Sequence, residues 1–289
     1  MNKKPFNSLN DYFVRYFFTD KGGEKVLLDF INAVMISANM KTFKAVEILN
    51  PFNLKKNYSD KETIVDVKCI TKNGTVVMIE VQLSGNSRFP ERILYYWSAN
   101  YSKLLKKGES YEDLTPVISI NLLNFNLNKK DSNVHSCYMI YDTKNKRLLT
   151  DHLQIHIIEL KKFNFKNNNL SKDLNYWLGF FTTKNMEEYM SEIVKEKPIM
   201  EEAHKRYNNF IRSRLMMTEY EKKEIYQYDK QIMLKDERRE GIKEGMKKGK
   251  LEGIKERNYS IAKNLKKAGS DIEFISEITG LTIEEINKL

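Results

Sequence analysis

Apolar and polar residues alternate with period two along Ile64-Val65-Asp66-Val67-Lys68-Cys69 and again along Val77-Met78-Ile79-Glu80-Val81-Gln82, the signature of half-buried strands. Lys72-Asn73-Gly74 lies between them and predicts a hairpin, with Gly74 in the left-handed position of a three-residue loop. That loop pairs Thr71 with Thr75, and therefore Asp66 with Glu80. The same register sets Val65, Val67 and Cys69 opposite Val81, Ile79 and Val77 on one apolar face. A slip of one residue would scatter those six side chains over both faces, so the hydrophobic pattern supports the register independently of the turn.

Helical spacing dominates on either side. Leu9–Phe18 and Glu24–Met35 read as amphipathic helices separated by Gly22-Gly23, the second presenting Val26, Leu27, Phe30, Ile31 and Val34 to a sheet. Val46–Pro51 suggests a short strand. Pro90 suits a first helical turn, and Glu91–Lys107 follows with Ile93, Leu94, Trp97, Tyr101, Leu104 and Leu105 at helical spacing. Val117–Leu123 is a nearly continuous apolar run, as a central strand requires. His135–Tyr141 and Leu153–Leu160 predict two further strands at one edge. Asp173–Phe181 and Met186–Ile193 predict helices, and Ile199–Lys235 one long charged helix with a break near Thr218.

From Glu240 the pattern changes. Gly241, Gly245, Gly249 and Gly253 recur every four residues within Lys/Glu-rich text, and on a helix they would drift by only about 40° per repeat. The stripe suits close helix-helix contact, and a homo-oligomer formed through the C-terminal helices is one expectation. A flexible solvated helix or linker fits equally, since each glycine costs about 1 kcal/mol relative to alanine. Ser260–Gly269, Asp271–Ile278 and Ile283–Leu289 then predict a small helix-turn-helix-like module, its last helix opened by a Thr282/Glu285 capping box. Its last two helices are acidic, so a protein partner suits it as well as DNA. The expected division is a core over 1–165, a helical extension over 166–236, the glycine-spaced segment over 237–258 and the module over 259–289.

Charge and cysteine content narrow the chemistry. The net charge is +10, and the stretch from Asp229 onward holds 14 basic and 12 acidic residues, so most of the excess lies earlier. A polyanionic partner such as DNA fits this balance, although basic composition alone does not require one. No apolar run is as long as a membrane span, the first residues lack the apolar stretch of a signal peptide, and Cys69 and Cys137 read as buried thiols. A cytoplasmic protein is expected. The four histidines form no zinc pattern; His152 and His156 are expected to be structural or exposed.

Asp66 and Glu80 on adjacent strands, with Gln82 two residues on, make an oxygen-rich site suited to a hard divalent cation, Mg2+ first and Mn2+ as a substitute. Taken alone the hairpin also fits a solvated sheet face with a like-charge pair. The spacing Asp-x13-Glu-x-Gln resembles the core of the PD-(D/E)XK nucleases, with Gln82 where most members carry Lys. More of the chain is similar to one branch, the Rpn family of recombination-promoting nucleases and transposases: Asp11-Tyr-Phe-Val-Arg15-Tyr-Phe-Phe18, Glu24 to Asn32, Arg92-Ile-Leu-Tyr95-Tyr96 and Gly108-Glu-Ser-Tyr111.

The resemblance implies an α/β restriction-endonuclease-like core, a central mixed sheet flanked by helices, with an α-helical C-terminal extension. It implies a magnesium-dependent DNA endonuclease linked to recombination or mobile elements. Asp66, Glu80 and Gln82 would be catalytic, and the cation would be held by Asp66, Glu80 and the Val81 carbonyl. An acidic residue of the first helices would complete the set, Glu24 in preference to Asp11. Arg88, Arg92 and Lys68 are the candidates for contacting DNA phosphate. Gln82 can orient a water but cannot supply charge as Lys does, and a DNA-binding or assembly protein that keeps the fold without turnover is the competing expectation.

Overall fold

A computed structural model describes residues 6–50, 52, 65–85 and 88–289. Helices α1 (Asp11–Thr19) and α2 (Glu24–Ser37) lead into strands β1 (Val46–Ile48), β2 (Val67–Thr71) and β3 (Val76–Gln82). Helix α3 (Phe89–Ser102) then crosses over to β4 (Val117–Leu123), followed by β5 (His135–Tyr141) and β6 (Leu148–Glu159). The six strands form one mixed sheet in the order β1-β2-β3-β4-β6-β5, with β3, β4 and β6 parallel and the flanking pairs antiparallel. Helices α4 (Lys172–Thr182), α5 (Met186–Ile193), α6 (Ile199–Arg212), α7 (Arg214–Lys267), α8 (Ile272–Thr279) and α9 (Ile283–Asn287) complete the chain.

Local chemistry accounts for the boundaries. The Asn10 side chain accepts the N–H groups of Tyr12 and Phe13, so α1 begins at Asp11. Gly22, at φ +81°, and Gly23, where a Cβ would collide with the Phe18 carbonyl, permit the tight connection to α2. The α6 helix stops at Arg212, and Ser213 is extended before α7 starts, so the break falls five residues ahead of Thr218.

One side of the sheet carries the main core. Val67, Cys69, Val77, Ile79, Ile118, Ile120 and Leu122 meet Phe13, Phe17, Phe18, Leu27, Phe30 and Val34, with Trp177, Phe180 and Phe210 in the same cluster. Helices α4 and α6, within the stretch 166–236 expected as a helical extension, contribute Leu174, Trp177, Phe180, Met200, Ala203 and Phe210 to this core. The other side is covered by α3, whose Phe89, Ile93 and Trp97 lie over Val76, Met78, Val117, Leu123 and Ile157.

The chain divides into two compact units, residues 1–223 and 224–289. In the second unit the glycine-spaced segment is helical throughout and belongs to α7. Ala262, Ile275, Leu281 and Ile286 form a small core there, and the Thr282/Glu285 capping box is present. No helix among the described residues is long and apolar enough to cross a membrane.

Candidate active site

The hairpin has the register its turn demands. Val67 pairs with Ile79, Lys68 with Met78 and Cys69 with Val77; the Thr71 N–H donates to the Thr75 carbonyl at 2.9 Å, and Gly74 takes φ +79°. Lys68, Met78, Glu80 and Gln82 thus share the face under α3. Val65 departs from expectation: it packs with Met78, Val76 and Trp97 under α3, not with Val67 and Cys69. The chain bends at Asp66, and the bend breaks the alternation that would have kept Val65 on the other face.

That bend ends the β2–β3 ladder. The Val81 N–H donates to Asp66 Oδ2 at 2.7 Å, so a carboxylate replaces the backbone carbonyl that a continued ladder would supply. A residue's N–H and C=O point to the same side of its strand, and the Val81 carbonyl is therefore directed toward Asp66's side of β3. Asn50, just past β1, holds the bend in place. Its Oδ1 accepts the Lys68 N–H at 2.7 Å, and its Nδ2 donates to the carbonyls of Val65 at 3.1 Å and Asp66 at 3.4 Å.

Glu80 is buried and Asp66 half-buried. Burial raises Asp66 to about 8, helped by the nearby charges of Asp11 and Glu80 and opposed by the Val81 hydrogen bond and by Arg15. Burial raises Glu80 as well, against the pull of Arg92 and a hydrogen bond from Gln82. Among the described residues neither carboxylate forms an ion pair. Asp11, at the start of α1, is the helix carboxylate whose charge reaches Asp66. Glu24 lines a shallow hollow with Thr19, Asp20, Lys21, Val46, Glu47, Ile48 and Phe52. Of the two acidic residues expected from the first helices, Asp11 is thus the one whose charge acts on Asp66.

On the α3 side, Arg92 donates to Gln82 Oε1 at 2.5 Å, which turns Gln82 Nε2 toward Glu80 Oε2 at 3.4 Å. Arg92 also lies over the Phe89 ring, its guanidinium carbon 5.3 Å from the centroid. The guanidinium therefore stands within the site, set against its amide and its carboxylate. Arg88 is exposed and pairs with Glu91 at 3.1 Å. Lys68 Nζ donates to Asn100 Oδ1 at 2.8 Å, and burial followed by the Lys103 charge lowers its pKa.

The donors at the end of the ladder are oxygens: two carboxylates and a strand carbonyl, with Asp11 near enough for its charge to act on Asp66 while it pairs with Lys223 at 3.6 Å. Such a set fits a hard cation and not zinc. No three His, Cys, Asp or Glu side chains converge as a ready-made cage among the described residues, so waters would have to complete the shell, as Mg2+ normally requires. The histidines stand elsewhere. His156 is fully buried and bonded to His135 at 3.0 Å, and His152 bonds the Tyr101 hydroxyl at 2.9 Å.

Sequence reasoning gave no role to Arg15, Asn50 or Asn121, the last lying beside Glu80 in the β3–β4 register. Arg15 stands one helical turn after Asp11, a spacing that places the two on one face of α1. Asn50-Pro51 marks the exit from a strand, but nothing local shows that its amide reaches residues 65–68.

A mixed sheet flanked by helices, with an Asp/Glu pair where two strands part, defines the α/β core of the PD-(D/E)XK nucleases. A family model described as PD-(D/E)XK nuclease family transposase matches residues 8–237, and the chain belongs to that family. This agrees with the resemblance drawn from the motifs. Comparison with curated proteins and with solved structures gives no match.

Proposed function

We propose that the protein is a DNA endonuclease that hydrolyses phosphodiester bonds with Mg2+, or Mn2+ in its place, in the service of recombination or a mobile element. The observation that carries this reading is the Asp66/Glu80 pair at the end of the hairpin ladder, Glu80 buried and Asp66 half-buried, with no ion pair to either among the described residues. Two carboxylates pushed above their ordinary range have a use if a cation draws them into their charged forms. Asp66, Glu80 and the Val81 carbonyl would hold the ion, with Asp11 the candidate for a fourth oxygen. A divalent ion so bound would polarise the scissile phosphate and make a water acidic enough to attack it.

The remaining work falls to the chain's own side chains. Gln82 orients a water by hydrogen bonds, and Arg92, which fixes the Gln82 amide, supplies the positive charge that an amide lacks. Lys68 stands on the same face as a further cation, and Arg88 is placed at the start of α3 to meet a phosphate. The excess positive charge ahead of Asp229 suits a DNA backbone. The second unit is proposed as an assembly element, joining copies through the C-terminal helices.

Gln82 in place of lysine favours one other reading, a protein that binds DNA through this fold without cutting it. Nicking of supercoiled plasmid decides between them. The natural protein with Mg2+ or Mn2+ is expected to nick, and Asp66→Asn and Glu80→Gln, each shown to be folded, are expected to lose at least a hundredfold in rate. DNA retention without nicking under either ion would establish the binding protein instead.

A further inference from the structure

Asn121 is fully buried at the centre of β4. Its Nδ2 donates to the Ser119 hydroxyl at 3.0 Å and to the His156 carbonyl at 3.2 Å, but its Oδ1 has no hydrogen-bond partner among the described residues. Turning the amide over would set Oδ1 against the His156 carbonyl, acceptor against acceptor, so the backbone of His156 fixes which atom is left over. A buried acceptor without a donor costs about 1–3 kcal/mol. Such a group in a folded protein calls for an explanation.

The sheet shows where a donor has to come from. Asn121 shares the α3 face with Ser119, and the register places it between Glu80 on β3 and Ile157 on β6. Ile157 offers no donor, and the helix above contributes Phe89 and Ile93 to this region. The polar neighbour on the remaining side is Glu80. We propose that Asn121 is a positioning residue for the cation site: its Oδ1 accepts a hydrogen bond from a water held beside Glu80 in the shell of the bound divalent ion. The inference rests on the cation reading above. Two carboxylates and a carbonyl leave most of an octahedral shell to water, and an acceptor fixed by the sheet would hold one such water in a single orientation.

The test is Mn2+ binding to the whole chain without DNA, followed by calorimetry, for the natural chain, Glu80→Gln, Asn121→Leu and Asn121→Thr. Metal-free melting comes first. Asn121→Leu removes the unpaired oxygen at similar volume and is expected to melt within a few degrees of the natural protein, so a weaker site cannot be ascribed to unfolding. It is expected to bind Mn2+ about ten- to a hundredfold more weakly, while Asn121→Thr, whose hydroxyl can donate to the sheet and still accept from a water, recovers part of the affinity. If Glu80→Gln weakens binding but Asn121→Leu stays within twofold of the natural chain, this inference fails and the cation reading stands. If the natural chain takes up no Mn2+, both fall together.

Discussion

Through β2, β3 and β4, one face of the sheet sets Val67, Cys69, Val77, Ile79, Ile118, Ile120 and Leu122 against a wall of aromatic rings, while the other holds Lys68, Glu80, Gln82, Ser119 and Asn121 beneath a single helix. On the aromatic side the buried charged groups are matched, and only neutral atoms, Thr71 Oγ1 and Gln154 Oε1, lack partners among the described residues. Trp177 Nε1 donates to Asp29 at 2.7 Å, and Asp29 pairs with Lys197 at 2.7 Å. On the α3 side Asn121 Oδ1 and Arg92 Nε lack partners, and the carboxyls of buried Glu80 and half-buried Asp66 form no ion pair, all among the described residues. A chain under selection for stability alone would not be expected to keep the second arrangement. The difference teaches that the α1/α2 face stabilises the sheet and the α3 face draws on that stability to keep reactive groups out of water.

The largest effect should come from the aromatic side. Trp177 is fully buried among Phe17, Phe30, Phe180 and Phe181. Trp177→Ala is expected to lower unfolding free energy by about 3–5 kcal/mol in a denaturant titration, from lost burial plus a cavity. A loss below about 1 kcal/mol would show that this face is not where stability resides.

Arg206 should come next. From α6 its guanidinium donates to four carbonyls at the end of α1 and the turn beyond: Phe17 at 2.7 Å, Asp20 at 3.0 Å, Lys21 at 3.2 Å and Tyr16 at 3.3 Å. The Phe17 carbonyl is one that a helix end leaves without an internal partner, while those of Tyr16 and Asp20 also accept backbone N–H groups. Arg206→Met keeps much of the volume and removes every donor, so a loss of about 3 kcal/mol is expected, with amide exchange accelerating first at the α1 end. Uniform acceleration across the unit would instead mean that Arg206 acts through general packing.

The α3 side should respond in the opposite sense. Asp66 is raised in the folded protein to about 8 from an ordinary 3.8. A raised folded pKa gives stability that is complete below the unfolded value and is lost as pH climbs through the folded one. Metal-free protein should therefore weaken between about pH 4 and pH 8 on this account. Asp66→Asn, which still accepts the Val81 N–H, removes that slope. It is expected to be more stable than the natural chain by about 2 kcal/mol at pH 8, with the gap closing toward pH 4, and to show no stabilisation by Mg2+. Equal melting temperatures at pH 8 would mean that the carboxylate is already compensated, and the contrast between the faces would lose its main support.

The sequence carried more of one face than of the other. Alternation and the Gly74 turn determine the hairpin register, because a period of two and a left-handed glycine are local properties. The sharing of a core by α4, α6 and the first two helices was not legible, since helical spacing marks a buried stripe without naming what it meets. Around the site the limits are similar. The turn of Val65 follows from a bend held by Asn50, 16 residues before Asp66 in sequence, and the action of the Asp11 charge on Asp66 depends on which end of which helix lies near β2. Asn121 reads as one polar residue in an apolar run. Its meaning comes from Glu80 being its neighbour across a parallel pair, a contact between residues on either side of a whole crossover helix.

The smallest effect belongs to α7, whose glycines tell whether that helix resembles the satisfied face or the strained one. A Cβ built at Gly241, Gly245, Gly249 or Gly253 meets nothing within 4 Å. In a solvated helix Gly245→Ala should therefore add about 0.5–1 kcal/mol of helix stability, seen as slightly higher helical circular dichroism and slower amide exchange around residue 245. If the glycine stripe is where copies of the chain approach closely, the added methyl groups would obstruct it. Converting all four to alanine would then lower the apparent mass in sedimentation even as the helix itself gained order. Gain of helix with unchanged mass would make the glycines a tolerated weakness of a solvated helix; gain of helix with loss of mass would make them, like Asp66 and Asn121, a local cost retained for what it allows the chain to bind.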